Sequence, residues 1–148
     1  MQRFQDFLPE LYEAYKETGL KAEAPKPNFH YAARKLMSIR NKGWDFAKDN
    51  KLMEAIECFE KSLKTGLDPF IDLLELGWMK NATGKCEEAV SYYKKAIELK
   101  PNDFMANREL GASYLYVNDK KSAKKYLKLA LEINPGDEQA QNLFSRTK

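Results

Sequence analysis

Little in this chain of 148 residues invites a catalytic reading. There is one histidine, His30, with no carboxylate or cysteine at a ligand spacing. The two cysteines, Cys58 and Cys86, are too few for a disulfide framework and show no CxxC or Cys/His spacing that would hold zinc. Both are read as reduced thiols. The glycines stand singly, so no glycine-rich phosphate loop is present. No serine, cysteine or lysine has a partner arrangement for nucleophilic attack. The expectation is a non-enzymatic protein with no cofactor and no metal.

Charge of one sign and long apolar runs are also missing. Lysine and arginine number 25 against 22 acids, a net +3 that makes no bulk case for nucleic acid or membrane. No run approaches the roughly 20 apolar residues needed to cross a bilayer. The opening MQRFQDFLPELY carries Asp6 and Glu10 and does not resemble a secretory signal. A cytoplasmic location is expected, with no membrane partner.

What the chain does have is helical periodicity. Phe4, Phe7, Leu8, Leu11, Tyr12 and Tyr15 recur at the three-and-four spacing of one helix face within residues 3–18. Pro25 and Pro27 mark residues 19–28 as a linker. From Asn28, a good N-cap, helical patterns run over about 29–48, 52–65, 69–82, 86–99, 103–116, 120–133 and 137–146. No stretch alternates with period two. The fold class is all-α, with 1–28 an N-terminal helix and linker, and 29–148 the main domain.

The segments repeat at a spacing of 34. Gly43, Gly77 and Gly111 are in register, as are Ala55, Ala89 and Ala123, then Phe59, Tyr93 and Leu127, then Ser62, Ala96 and Ala130. Glycine inside a helix costs about 1 kcal/mol relative to alanine, so close approach of a second helix is the reason to keep it, with the recurring alanines opposite. Pro101 and Pro135 close two units. These residues make the chain resemble the tetratricopeptide repeat family, with repeats over 36–69, 70–103 and 104–137 and a capping helix over 138–148. The first unit departs from the pattern, with Lys42 before its glycine and Leu67 where the proline would stand. The resemblance implies antiparallel helix pairs stacked into a right-handed superhelix, an α-solenoid with one extra N-terminal helix. Its inner surface would be lined by the first helix of each pair and would bind peptides or partner helices.

On the helix containing Gly77, one arc carries Leu73, Leu76, Gly77 and Lys80, and a nearly opposite arc carries Ile71, Leu74 and Trp78. A helix with two apolar sides needs a use for the second. The register places Met37, Arg40 and Trp44 at the matching positions of the first unit, and Met105 and Arg108 in the third, with Leu115 and Tyr116 further along. Trp44 and Trp78 would anchor an apolar or amphipathic segment of a partner protein. The remaining apolar residues would form the wall, Arg40 and Arg108 would orient it, and Asn41 would bond its backbone.

Domains of this family that grip acidic C-terminal tails use a carboxylate clamp of lysine, asparagine and arginine. At the matching positions this chain has Arg40, Trp44, Glu75, Met105 and Glu109, and two carboxylates would repel such a tail. Other readings stay open. The aromatic face of residues 3–18 could seal the first unit, fill the groove, or form a homodimer in a self-assembling protein similar in plan to type III secretion chaperones. Lys120, Lys121, Lys124, Lys125 and Lys128 could meet nucleic acid, although a solvated face is the simpler account of them.

Overall fold

The computed structural model describes residues 29–148, and every element among them is an α-helix. These are α1 (Phe29–Lys48), α2 (Leu52–Leu63), α3 (Pro69–Ala82), α4 (Cys86–Leu99), α5 (Phe104–Tyr116), α6 (Lys120–Ile133) and α7 (Glu138–Ser145). Their bounds fall within two residues of the periodic segments read from the sequence. The N-terminal aromatic stripe, Phe4 to Tyr15, and the capping role of Asn28 lie outside the described residues.

Local sequence sets the helix ends. The first helix of each pair stops at a residue in the left-handed region: Asn50 (φ 57), Gly84 (φ 77) and Asn118 (φ 62), again 34 apart. In each case the next backbone N–H donates back five residues, from Lys51 to Phe46, Lys85 to Lys80 and Asp119 to Tyr114, all at 2.8 Å. That is the Schellman arrangement, which satisfies carbonyls the helix itself leaves unbonded. Asp103, Asp119 and Asp137 begin the helices that follow, each side chain accepting from the backbone N–H three residues on. Hydrogen bonds to Ser122 hold the Asp119 carboxyl below its ordinary range.

The chain divides into two compact units, one ending at Asp72 and the other covering Leu73–Lys148. Within each, helices approach over the in-register glycines. A Cβ on Gly43 would lie 2.7 Å from the Phe59 ring, one on Gly77 2.6 Å from Tyr93, and one on Gly111 2.5 Å from Leu127. The expected partner was the alanine four residues earlier. Ala55, Ala89 and Ala123 are indeed buried, but a bulky side chain one turn further on lies across each glycine.

The first unit holds a buried polar cluster that periodicity did not reveal. Arg40 on α1 is 4% exposed, and its guanidinium donates to both carboxylate oxygens of Asp72 on α3, at 2.8 and 2.9 Å. Nη2 also donates to the Asp68 carbonyl. The Ser62 hydroxyl of α2 lies 2.8 Å from both Asp72 oxygens. Burial opposes the charged guanidinium, yet the hydrogen bond and attraction to Asp72, with help from Asp68, raise its pKa further. At the register positions 34 residues on, the same three places hold Leu74, Ala96 and Ala106. The polar cluster therefore occupies a position where the next repeat uses apolar side chains alone.

Two stability predictions follow from this packing. Arg40→Ala leaves Asp72 buried without its counter-ion and lowers unfolding free energy in urea by about 3–5 kcal/mol. The triple replacement Arg40→Leu, Ser62→Ala and Asp72→Ala, which copies the next repeat, regains most of that loss. Gly77→Ala gains helix propensity of about 1 kcal/mol but must displace the Tyr93 ring, and overpacking of about 1–3 kcal/mol makes the net change destabilising.

Candidate functional site: a groove in the second unit

The second unit contains an open pocket of about 940 Å³, within the range of ligand-binding clefts. Helices α3 and α5 supply most of its wall. Trp78, Met105 and Tyr116 enter it while remaining 49%, 45% and 58% exposed, and Leu74 lies half-buried beside them. Other large apolar side chains are exposed too, Met53 and Leu99 among them, but these three gather around one pocket.

Helix geometry explains why they are available. Leu73, Leu76 and Gly77 form the packed side of α3, together with the buried stem of Lys80, whose ammonium pairs with Glu88 at 2.7 Å. Trp78 follows Gly77 by 100° and so leaves that side. Met79, not singled out in the sequence, is fully buried.

Polar groups line the same pocket. Arg108 is paired with Glu109 at 2.8 Å and with Asp137 at 3.5 Å, and its guanidinium lies 5.3 Å over the Phe104 ring. Asn81 donates its amide N–H to the Ser113 hydroxyl at 2.7 Å, and Ser113 donates in turn to the Glu109 carbonyl at 2.8 Å. That chain fixes the amide orientation, leaving Asn81 Oδ1 buried without a donor. Tyr93 lines the pocket from a fully buried position, and its hydroxyl has no hydrogen-bond partner. Burial, then the charges of Glu109 and Glu75, push its pKa up, so the hydroxyl stays protonated.

The residues expected to form one groove are distributed unevenly. Leu74, Trp78, Met105, Arg108 and Tyr116 come together in this pocket. Met37 and Asn41 line a shallower depression of about 600 Å³ in the first unit. Trp44 does not line it; it is half-buried in the same unit, its ring edge-on to Phe59 at 5.8 Å. Arg40, expected at the groove surface, is consumed by Asp72 because the first repeat presents a buried carboxylate to it. Ile71 is half-buried in the first unit, and Leu115 packs against the core formed by Ala112, Ala123, Leu127 and Leu143. Glu75, Asn81, Cys86, Glu109 and Gln139 also line the pocket. The sequence singled out Glu75 and Glu109 only as breaks in the clamp pattern. Asn81, one turn beyond Trp78 and Gly77, gave the available signal for a polar neighbour.

Elsewhere, the five lysines of α6 are exposed. Lys128 approaches Glu132 at 3.9 Å. Among the described residues there is no cluster that could hold a metal and no helix long and apolar enough to cross a membrane.

Residues 73–103 and 109–137 match the tetratricopeptide repeat family model. Those two segments carry tetratricopeptide repeats. Solved tetratricopeptide domains share the fold over more than the second unit alone. The first such domain of Spaghetti (RPAP3), bound to the HSP90 peptide SRMEEVD, is 24% identical, with a TM-score of 0.72 over 77% of this chain and 90% of that one. The second domain of human RPAP3, in complex with the HSP70 peptide SGPTIEEVD, is 23% identical, with a TM-score of 0.73 over 78% and 96%. The Sgt2 domain from Aspergillus fumigatus is 20% identical, with a TM-score of 0.71 over 86% and 81%. No curated protein sequence matches the chain.

The unequal settings of the indoles are measurable. A Trp44→Phe variant, reporting Trp78 alone, emits further to the red and is quenched more strongly by acrylamide. A Trp78→Phe variant, reporting Trp44 against Phe59, emits further to the blue. Equal quenching of the two variants would contradict the open setting of Trp78.

Proposed function

We propose that the protein is a non-enzymatic interaction module that holds an apolar or amphipathic segment of a partner protein in the groove of its second unit. The observation that carries this reading is the convergence of Trp78, Met105 and Tyr116, each about half exposed, on one pocket with Leu74. An aromatic anchor beside adaptable methionine suits a segment that buries apolar side chains on arrival. The described tetratricopeptide neighbours support a peptide-binding role for the fold, with HSP90 and HSP70 peptides bound to two of them.

Their acidic peptides do not transfer to this chain. The positions that match a carboxylate clamp hold Glu75, Met105 and Glu109 around this pocket. The only cation there with the required sign in the first unit, Arg40, is buried against Asp72. The carboxylate of Glu75, which lines this pocket without an ion pair, would work against capture of an acidic tail.

Panning the full-length protein against a random peptide library tests the reading. Enriched peptides are expected to be rich in leucine, phenylalanine or methionine. Trp78→Ala should weaken their binding about 30-fold, the loss typical of an anchor worth about 2 kcal/mol, with helical circular dichroism unchanged. Peptides that bind the variant as tightly as the parent would sink the groove assignment.

A further inference from the structure

The groove's polar lining has a direction that its apolar wall does not explain. Register positions 40, 74 and 108 hold Arg40, Leu74 and Arg108. In the third repeat, Arg108 neutralises the adjacent Glu109. The central repeat has leucine at that position, so Glu75, the counterpart of Glu109, has no adjacent arginine. Among the described residues Glu75 forms no ion pair or side-chain hydrogen bond, although it lines the pocket. The remaining cation there, Arg108, is shared between Glu109 and Asp137. The pocket is thus left with a surplus of negative charge.

Two further atoms ask for hydrogen. Asn81 Oδ1 is buried and has no donor, its amide nitrogen being committed to Ser113. The Tyr93 hydroxyl, on a fully buried side chain, has no partner either. A buried polar group without a partner costs about 1–3 kcal/mol, so both atoms have something to gain from a bound donor. The hydroxyl is specific to this repeat, since the register equivalents are Phe59 and Leu127. Trp78 and Tyr116, each about half exposed, line the same pocket, and aromatic rings there can attract a cation.

We propose that this groove selects a cationic segment of a separate protein, in which a lysine or arginine flanked by apolar residues seats against Glu75, Asn81 Oδ1 and the Tyr93 hydroxyl. The proposal rests on the interaction-module reading and adds the sign of its ligand, opposite to that of the acidic peptides bound by the solved neighbours. Residues 1–28 are a poorer match in charge, since they contain five acids and four bases.

The test uses the full chain and three synthetic peptides. They share one leucine and phenylalanine frame and differ only in carrying lysine, glutamine or glutamate at the same places. Titrations followed by tryptophan emission at low salt should rank lysine over glutamine over glutamate, with about tenfold or more between the extremes. Glu75→Gln should erase most of the preference for lysine over glutamine while leaving the glutamine peptide unaffected. Tyr93→Phe, which copies the first repeat, should weaken the lysine peptide several-fold without lowering the melting temperature. Equal affinities for all three peptides, still lost in Trp78→Ala, would overturn the charge selection and leave the groove reading standing. Failure of all three to bind would overturn both. Self-association on gel filtration that disappears in Glu75→Gln would make a second copy the occupant and overturn the assignment to a separate partner.

Discussion

Each helix pair depends on one contact: a bulky side chain of the second helix lying across a glycine of the first. Phe59 over Gly43, Tyr93 over Gly77 and Leu127 over Gly111 are the same contact made three times. The absence of a Cβ lets the helices approach, and the side chain above fills the space that remains. That contact also sorts the rest of the first helix. Once Gly77 and its neighbours Leu73 and Leu76 face the partner helix, rotation of 100° per residue turns Trp78 away from the packed side. The open indole is therefore a consequence of how the scaffold closes.

The contact tolerates three different side chains, and the difference has chemical content. Phenylalanine and leucine end in carbon. Tyrosine fills the same space and carries a hydroxyl beyond it, which in this structure is buried without a partner on a residue that lines the groove. A polar atom at that depth serves packing poorly, since phenylalanine does the same work in the first repeat without leaving an oxygen unsatisfied. Under the proposed reading the oxygen is held in place for a ligand, and the ring that carries it is held by the contact that closes the helix pair.

How far the sequence reveals all this depends on whether a feature is periodic. Helix limits, turn glycines and asparagines, and the glycine contacts all recur at the repeat spacing, so counting along the chain finds them. The Arg40–Ser62–Asp72 cluster was hidden because it is made of departures from the repeat: serine in the place of alanine, aspartate in the place of alanine, arginine in the place of leucine. Each departure alone reads as a surface substitution. Only their meeting in space shows that they compensate one another, and that Arg40 is unavailable to the groove. Leu115 was misplaced for a related reason. Near the end of α5 the inner face turns onto α6 and α7, and a residue following the groove pattern joins the core instead.

The same logic bears on the groove's charge. An arginine stands at one register position in the first and third repeats and each time meets an acid: Asp72 and Asp68 in one case, Glu109 and Asp137 in the other. The central repeat keeps the acid, Glu75, and replaces the arginine with leucine. A single substitution thus removes a cation and adds apolar surface at the same place, beside Trp78. A domain built to receive an acidic tail would need the reverse change. Under the proposed reading a change of charge in the lining requires no new element, because the helix pairs hold the inner side chains without taking part in their charge. What such a groove selects is decided by a few inner side chains, and under the proposed reading those side chains favour a cation set among apolar residues.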